Sequence, residues 1–328
     1  MNRRAVITLI GGAAALSPLA ARAQQSAMPV IGYLSSGSSE SGEFRMPPFR
    51  HGLREAGYVE GKNVEIEYRW AGDHNERLPE LAAELVRRRV AVIVAPSGAP
   101  AALAAKTATA TIPIVFAVAT DPVETGLVAS LNRPGGNLTG VTNLNTEVGP
   151  KRLELLHELL PSATVFALLV DPTAPAITGP FTRSLEAAAG TLGLKLHVLH
   201  AGTERDLDAA FAAARELRAD ALIIGPATFF TVRSERLAAL TVRHAVPAIF
   251  QHRTFAAAGG LLSYGSRDRE IYHPVGNYTG RILKGDKPAD LPVQRVTSVE
   301  LVINLKTAKA LGLTVPLPLL GRADEVIE

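Results

Sequence analysis

One pattern of strands and helices occurs twice in this chain, and that duplication limits its possible folds more than any other feature. In each copy an amphipathic helix leads into an apolar strand, and a second helix leads into a strand that opens with a β-branched residue and a proline. The segments are 77–85, 90–96 and 112–116 in the first copy, and 206–211, 219–226 and 246–250 in the second. A spacing of about 130 residues is far longer than a solenoid repeat, so each copy has the length of a whole domain.

The alternation of strands and helices within each copy predicts parallel sheets. Residues 90–95 form a continuous apolar run, which is typical of a strand buried on both faces. Successive parallel strands need crossover helices, and right-handed crossovers place helices on both sides of the sheet. We therefore predict an α/β protein of two doubly wound parallel-sheet lobes. Two unrelated lobes with convergent patterns are the alternative.

The N-terminus has the features of a secretory signal peptide. A positive start at Arg3 and Arg4 precedes an apolar stretch over 5–20, and Ala21-Arg22-Ala23 fits the signal peptidase pattern. We expect residues 1–23 to be removed, so that the mature chain begins near Gln24. A retained membrane anchor is the alternative, and the export route, general secretion or twin-arginine, stays open. No cysteine follows the apolar stretch to carry a lipid, so we expect a free periplasmic protein.

Charge and cysteine content exclude several classes of function. The chain has 34 Lys and Arg against 31 Asp and Glu, and loss of Arg3, Arg4 and Arg22 with the signal leaves a formal 31 against 31. A neutral mature chain without a basic stripe gives no reason to expect a nucleic-acid partner. The absence of cysteine excludes disulfides, thiolate catalysis and cysteine-ligated metals.

The predicted ligand site lies where the strands of the two lobes end. Open parallel sheets bind ligands at the carboxyl ends of their strands, and two facing lobes bring those ends around one cleft. The candidates at or just beyond these ends are Ser36, Ser97, Thr120 and Asp121 in the first lobe, and Asp171, Thr173, Thr228, Phe229 and Tyr264 in the second. A helix that begins after Ser97 would direct free N–H groups at a carboxylate.

We expect Asp121 or Asp171 to meet a positive group of the ligand, and Phe229 or Tyr264 to cover its apolar part. Several of the candidates also have a purely structural alternative. Ser97 is a suitable helix N-cap, and Asp121 begins a capping box that needs no ligand. The aromatic side chains could equally belong to the core.

Four parts of the chain carry a resemblance to a known family: the signal segments 9–14 and 20–25, the segment 120–123, the pair 255–260 and 263–265, and the segment 301–312. In these residues the chain resembles the bacterial ABC-transporter substrate-binding proteins, whose relatives include binders of tryptophan and other aromatic amino acids. The resemblance implies a type I periplasmic binding fold, in which three chain segments cross between the lobes as a hinge. It implies a first lobe of 28–142 and about 266–294, and a second lobe of 143–265 and about 295–328.

The resemblance implies a substrate-binding role for the permease of an ABC importer, and it does not fix the ligand. Together with the candidate residues, it leads us to expect the capture of a small carboxylate-bearing ligand, an amino acid or an aromatic acid. We expect the protein to be a monomer. We also expect no cofactor, metal or catalytic residue, because the chain has no Gly-x-Ser-x-Gly, phosphate loop or His-Glu-x-x-His motif. A ligand-sensing domain for a signalling partner and an unrecognised small-molecule enzyme stay open as alternatives.

Overall fold

The computed structural model describes residues 28–143 and 145–328. The predicted signal peptide, residues 1–23, lies outside the described residues. No helix within the described ranges combines the length and the apolar character that crossing a membrane requires.

The described residues form thirteen strands and thirteen α-helices. The strands are β1 Val30–Ser35, β2 Glu65–Trp70, β3 Val92–Ala95, β4 Ile114–Val118, β5 Leu138–Asn143, β6 Val165–Val170, β7 Lys195–His200, β8 Ala221–Ile224, β9 Ala248–Phe250, β10 Leu262–Ser266, β11 Gln294–Val296, β12 Val299–Asn304 and β13 Glu325–Ile327. The helices are α1 Ser39–Gly42, α2 Met46–Glu55, α3 Leu78–Arg87, α4 Ala99–Ala108, α5 Gly149–Leu159, α6 Pro175–Thr191, α7 Glu204–Glu216, α8 Thr228–Thr231, α9 Ser234–Arg243, α10 Arg253–Ala257, α11 Asp268–Leu283, α12 Leu305–Ala310 and α13 Leu317–Leu320.

The strands form two sheets, one in each lobe. The first sheet has the order β2-β1-β3-β4-β5-β11, and the second has the order β7-β6-β8-β9-β10-β12-β13. The duplicated sequence pattern therefore gives the same local order twice, as β2-β1-β3-β4 and as β7-β6-β8-β9. Even the turns before the third strand of each copy agree, because Arg89 and Arg218 both adopt a φ of +53°.

All pairs are parallel except one, between β10 and β12. The reason is the route of the chain. β12 begins just after β11 of the first lobe, so the chain enters the second sheet from the cleft side without a crossover helix. A strand that enters directly in this way runs antiparallel to β10. The predicted fold class of two doubly wound lobes joined by a multi-segment hinge is confirmed, with the last two strands at one side of the second sheet, β12 and β13, in the reverse direction.

The chain passes between the lobes three times, after β5, after β10 and after β11. The third passage lies two residues later than the implied boundary near residue 294, because β11 pairs with β5 through Val296 and so belongs to the first sheet.

Each sheet is covered by helices on both faces. In β3, Val92 and Val94 pack into one hydrophobic cluster, while Ile93 and Ala95 pack into another on the opposite face. Complete burial of such a side chain contributes about 1.5–3 kcal/mol, which explains why the strands predicted from continuous apolar runs form the centre of each sheet. The strand ends that surround the cleft are therefore held on rigid elements.

Helices α2 and α11 are in backbone contact on the outer face of the first lobe. A Cβ atom added to Gly52 would lie 2.0 Å from the carbonyl oxygen of His273, and one added to Gly276 would lie 2.0 Å from that of Phe49. Only glycine permits this approach. The contact attaches α11, which follows the second passage between the lobes, to the start of the first lobe.

Candidate functional site

A cavity of about 150 Å³ lies between the lobes at the carboxyl ends of their strands. An enclosed space of this kind between two lobes suits a small molecule rather than a polymer. Seven of the nine predicted residues line it, namely Ser36, Ser97, Thr120, Asp171, Thr173, Thr228 and Phe229. Asp121 and Tyr264 do not.

Ser36 and Ser97 form a buried pair on the wall of the first lobe. The Ser97 Oγ accepts a hydrogen bond of 2.8 Å from the Ser36 amide and lies 3.3 Å from the Ser36 Oγ. Gly98 follows with a φ of +100° and turns the chain so that α4 begins at the cavity. Gly98 is the N-cap of α4 and makes no side-chain cap hydrogen bond, so the N-terminal end of this helix lines the cavity at Ala99 and Pro100 without a side-chain cap.

The opposite wall carries a buried carboxylate. The Oδ1 of Asp171 accepts hydrogen bonds from the amide of Thr173 at 2.8 Å and from its hydroxyl at 2.7 Å. These bonds fix the carboxylate at the end of β6, just before α6 begins. Asp171 is only 6% exposed and lines the cavity, so this wall carries a buried carboxylate.

Phe229 and Thr228 form another part of the second-lobe wall. Phe229 is buried in the hydrophobic cluster of the second lobe and also lines the cavity, so its core role and a role in the cleft coexist. The guanidinium of Arg233 lies 4.0 Å from the centre of its ring. The hydroxyl of Thr228 donates a hydrogen bond of 3.4 Å to the carbonyl oxygen of Ser97 in the other lobe.

Asp121 is exposed and caps a turn instead of lining the cavity. Its Oδ1 accepts hydrogen bonds from the amides of Val123 at 2.7 Å and Glu124 at 3.3 Å. The residues after it form turns rather than the predicted helix. The structural alternative for Asp121 therefore accounts for all its contacts, and we remove it from the site.

Tyr264 also lies away from the cavity, for a reason of strand geometry. Side chains alternate between the faces of a strand, so Tyr264 shares the face of Leu262 in β10. That face packs into the second-lobe hydrophobic cluster that contains Phe166 and Leu168, on the opposite face of the sheet from the cluster of Phe229. The partly buried Tyr264 side chain packs against this cluster and is not among the residues that line the cavity.

Arg45 and Tyr272 line the cavity and were not among the predicted residues. The Arg45 Nε donates a hydrogen bond of 3.2 Å to the Tyr272 hydroxyl, and its guanidinium lies 4.4 Å from the ring centre of Phe44. Burial raises the pKa of the Tyr272 phenol, although the Arg45 charge opposes this shift. Tyr272 therefore stays neutral, and Arg45 places a buried positive charge on the first-lobe wall.

Two asparagines close the hinge end of the cavity. Asn143 and Asn145 lie on the first passage between the lobes, and both line the cavity. The Asn145 Oδ1 accepts a hydrogen bond of 2.7 Å from the amide of Ser266, which lies on the second passage. The side chain of Asn145 thus joins two hinge segments.

A fully buried arginine joins the same two segments. Arg152 of α5 donates from Nη2 to the carbonyl oxygen of Asn145 at 2.7 Å and from Nε to that of Tyr264 at 2.8 Å. Burial lowers the pKa of Arg152 to about 9, so its guanidinium remains protonated at neutral pH. The hinge is therefore built around a buried cation that is bound by backbone carbonyls.

Several buried polar atoms in the cavity wall make no hydrogen bond within the described part of the chain. They are Asp73 Oδ1, Asn75 Oδ1, Thr120 Oγ1, Gln251 Oε1 and His252 Nδ1. Buried polar groups are nearly always hydrogen-bonded in native proteins. Acceptors and a ring nitrogen of this kind favour a polar small molecule as the occupant of the cavity.

Side chains of the two lobes also meet beside the cavity. Asp73 of the first lobe pairs with Arg233 of the second, with 2.9 Å between Oδ2 and Nη1. The rings of Phe44 and His252, one from each lobe, have centres 5.9 Å apart. Together with the hydrogen bond between Thr228 and Ser97, these contacts mean that the cleft is closed in this structure.

Known proteins resemble the chain over most of its length. The family model described as ABC transporter substrate binding protein matches residues 41–327. A tyrosine-binding protein of Clostridioides difficile (strain R20291) is 27% identical over 266 residues, which span 81% of this chain and 75% of that protein. These matches cover both lobes and the hinge.

Solved structures show the same architecture. A Streptococcus pneumonia ABC domain in complex with L-Trp is 25% identical and has a TM-score of 0.82 over 91% of this chain and 99% of that one. The ligand-free, open structure of a substrate-binding protein with adhesive properties from Clostridium difficile is 22% identical, with a TM-score of 0.65 over the same shares. A leucine binding protein and an ABC transporter solute binding protein also share the type I periplasmic binding fold. The chain belongs to the family of ABC transporter substrate-binding proteins.

Proposed function

We propose that this protein captures a small carboxylate-bearing molecule, an amino acid or an aromatic acid, between its lobes and delivers it to the permease of an ABC importer. The observation that carries the proposal is the set of charged and polar groups in the cavity walls. The first-lobe wall offers hydroxyls, the N-terminus of α4, the Arg45 guanidinium and the Asp73 carboxylate, which is paired with Arg233, and the second-lobe wall offers the Asp171 carboxylate. Such an arrangement is complementary to a molecule with a negative and a positive group.

The proposed roles of the residues follow from their positions. Ser97 and the first N–H groups of α4 hold the carboxylate, with Arg45 adding positive charge on the same wall. Asp171 meets the ammonium group, and Phe229 covers the apolar part. Ser36, Thr120, Thr173 and Thr228 complete the polar lining of the cavity.

The relatives support the class of ligand. One is a tyrosine-binding protein, and another was solved with L-Trp in place. We infer from them that an aromatic amino acid is the first ligand to test. They are binding proteins rather than enzymes, and we propose that this chain also releases its ligand unchanged.

A titration with three related compounds tests the proposal. L-tryptophan has both charged groups, indole-3-propionate lacks the ammonium group, and tryptamine lacks the carboxylate. If tryptophan is the ligand, it binds one molecule per chain and raises the melting temperature, and each analogue binds at least about tenfold more weakly because one buried charge loses its partner. L-tyrosine, L-phenylalanine and L-leucine extend the series. A panel of amino acids and aromatic acids without any thermal shift would contradict the proposal.

We further propose that the protein acts in the periplasm as a monomer, after cleavage near Gln24 and without a lipid. The signal-like pattern of residues 1–23 and the family support this location. N-terminal sequencing of periplasmic material should start at or near Gln24. An intact Met1 on protein held in the inner membrane would contradict the export proposal and leave the ligand proposal untouched.

A further inference from the structure

Three side chains with metal-binding atoms converge on the outer face of the first lobe, away from the cavity residues. His51 and Glu55 lie one turn apart on α2, and His273 lies on α11. One ligand atom from each can be chosen so that all lie within 4.8 Å of one another. Within the described ranges this is the one group of three or more histidines and carboxylates with that property.

The distances in the cluster are compatible with a shared ion. The Glu55 carboxylate approaches both rings, with Oε1 3.7 Å from His51 Nε2 and Oε2 2.8 Å from His273 Nε2. The two imidazole rings have centres 5.2 Å apart. A tetrahedral zinc ion with bonds of about 2.0–2.2 Å holds its ligand atoms about 3.3–3.6 Å apart. Small rotations of exposed side chains would bring the observed separations to that value.

The backbone beneath the cluster is fixed by the closest contact between the two helices. Gly52, the neighbour of His51, lies against the carbonyl oxygen of His273 itself, where an added Cβ atom would be 2.0 Å away. The three ligand positions therefore lie at the crossing point of two packed helices rather than on loops. Helical scaffolds hold such side chains more accurately than loops do.

The ligand set indicates the class of metal. Two imidazoles and one carboxylate suit divalent transition metals, whereas Mg²⁺ and Ca²⁺ prefer sites built from oxygen. The side chains of His51, Glu55 and His273 are 41%, 49% and 26% exposed, which leaves room for water to complete the coordination. An exposed contact between an imidazole and a carboxylate stabilises a fold only slightly, so these contacts alone add little to the stability of the first lobe.

We propose that His51, Glu55 and His273 form a binding site for one divalent transition-metal ion of the Zn²⁺ class. The bound ion joins α2 to α11 and so stabilises the first lobe. The site is separate from the ligand cavity, and this proposal does not depend on the proposed function.

The test is a calorimetric titration of the mature, tag-free and chelator-treated protein with ZnCl₂. We expect one Zn²⁺ per chain, a higher melting temperature with Zn²⁺, and binding at least about tenfold weaker in both His273→Asn and Glu55→Gln. The matched control is His74→Asn, because His74 is an exposed histidine 3.0 Å from one carboxylate, that of Glu76, outside the cluster. It should bind Zn²⁺ as the wild type does.

Melting curves in EDTA show whether each variant is folded. If His273→Asn loses stability without metal, His51→Asn replaces it, since His51 is half-buried and lies on the other helix. Substitution of Zn²⁺ by Co²⁺ adds a visible absorption band whose intensity reports a tetrahedral site. Wild-type protein that binds no Zn²⁺, or binds it no more tightly than the folded cluster variants, would overturn the proposal and reduce the cluster to ion pairs.

Discussion

Asp73 of the first lobe and Arg233 of the second form an ion pair across the cleft, with 2.9 Å between Oδ2 and Nη1. Both side chains are only about one-fifth exposed, at 21% and 20%. Arg233 also pairs with Glu204 within its own lobe and lies over the Phe229 ring. A pair of this kind exists only in the closed arrangement, so it contributes to the equilibrium between open and closed forms.

We therefore predict that Arg233→Gln weakens ligand binding by about fivefold, since loss of a partly buried pair costs the closed form about 1 kcal/mol. Arg236→Gln is the matched control, because Arg236 pairs with Glu204 and Asp208 of its own lobe. Calorimetric titration with the amino acid found in the ligand series gives both affinities. Equal affinities for the two variants would show that the cross-cleft pair does not stabilise closure.

A second prediction concerns Arg152. Arg152→Ala leaves the carbonyl oxygens of Asn145 and Tyr264 without their donor and leaves a cavity in a fully buried position. We expect the free energy of unfolding to fall by at least about 3 kcal/mol. Arg183→Ala on the exposed surface of α6 should change it by no more than about 0.5 kcal/mol. Denaturant melts compare the two, and similar stabilities would mean that the buried arginine does not hold the hinge together.

A third prediction distinguishes the role of Asp171 in ligand binding from the capping role of Asp121. Both carboxylates accept an amide hydrogen bond from the residue two positions later, at 2.8 Å and 2.7 Å, but only Asp171 lines the cavity. Asp171→Asn should weaken binding of an amino acid by about 2–5 kcal/mol, because the ligand ammonium loses its partner. Asp121→Asn should leave the affinity unchanged. Titrations beside denaturant melts distinguish affinity from stability, and equal affinities would remove Asp171 from the site.

Much of the fold follows from local patterns in the sequence. Continuous apolar runs such as 92–95 and 221–224 can only be satisfied by burial on both faces, and the duplicated pattern implies the same strand order in each lobe. The reversed direction of β12 was not predicted. It depends on the route by which the chain returns from the first lobe, and no local pattern encodes that route.

The site was predictable only where strand ends define it. Ser97 and Asp171 follow buried strands directly, so the geometry of parallel sheets brings them together. Arg45 lies in a short 3₁₀ helix before α2 and reaches the cavity through tertiary packing against Tyr272. Asn143 and Asn145 could have been recognised as a polar pair at the end of β5, because that strand leads into the hinge.

Tyr264 shows that a position near a strand end is not sufficient to predict a residue of the site. Its position near the end of β10 suggested the cleft, but its face of the strand was decided by the register of β10 against its neighbours. His51 and His273 show a further limit, because the contact between α2 and α11 brings them together from distant parts of the chain. Sequence spacing cannot reveal such a cluster.

The proposed function requires the two lobes to close on a small ligand around a three-segment hinge. Small-angle scattering of the mature protein, with and without the amino acid identified by the titration series, measures this closure. We predict that the ligand-bound protein has the radius of gyration of the closed structure described here, and that the ligand-free protein has a larger one. An unchanged radius of gyration in the presence of confirmed binding of one molecule per chain would contradict the claim.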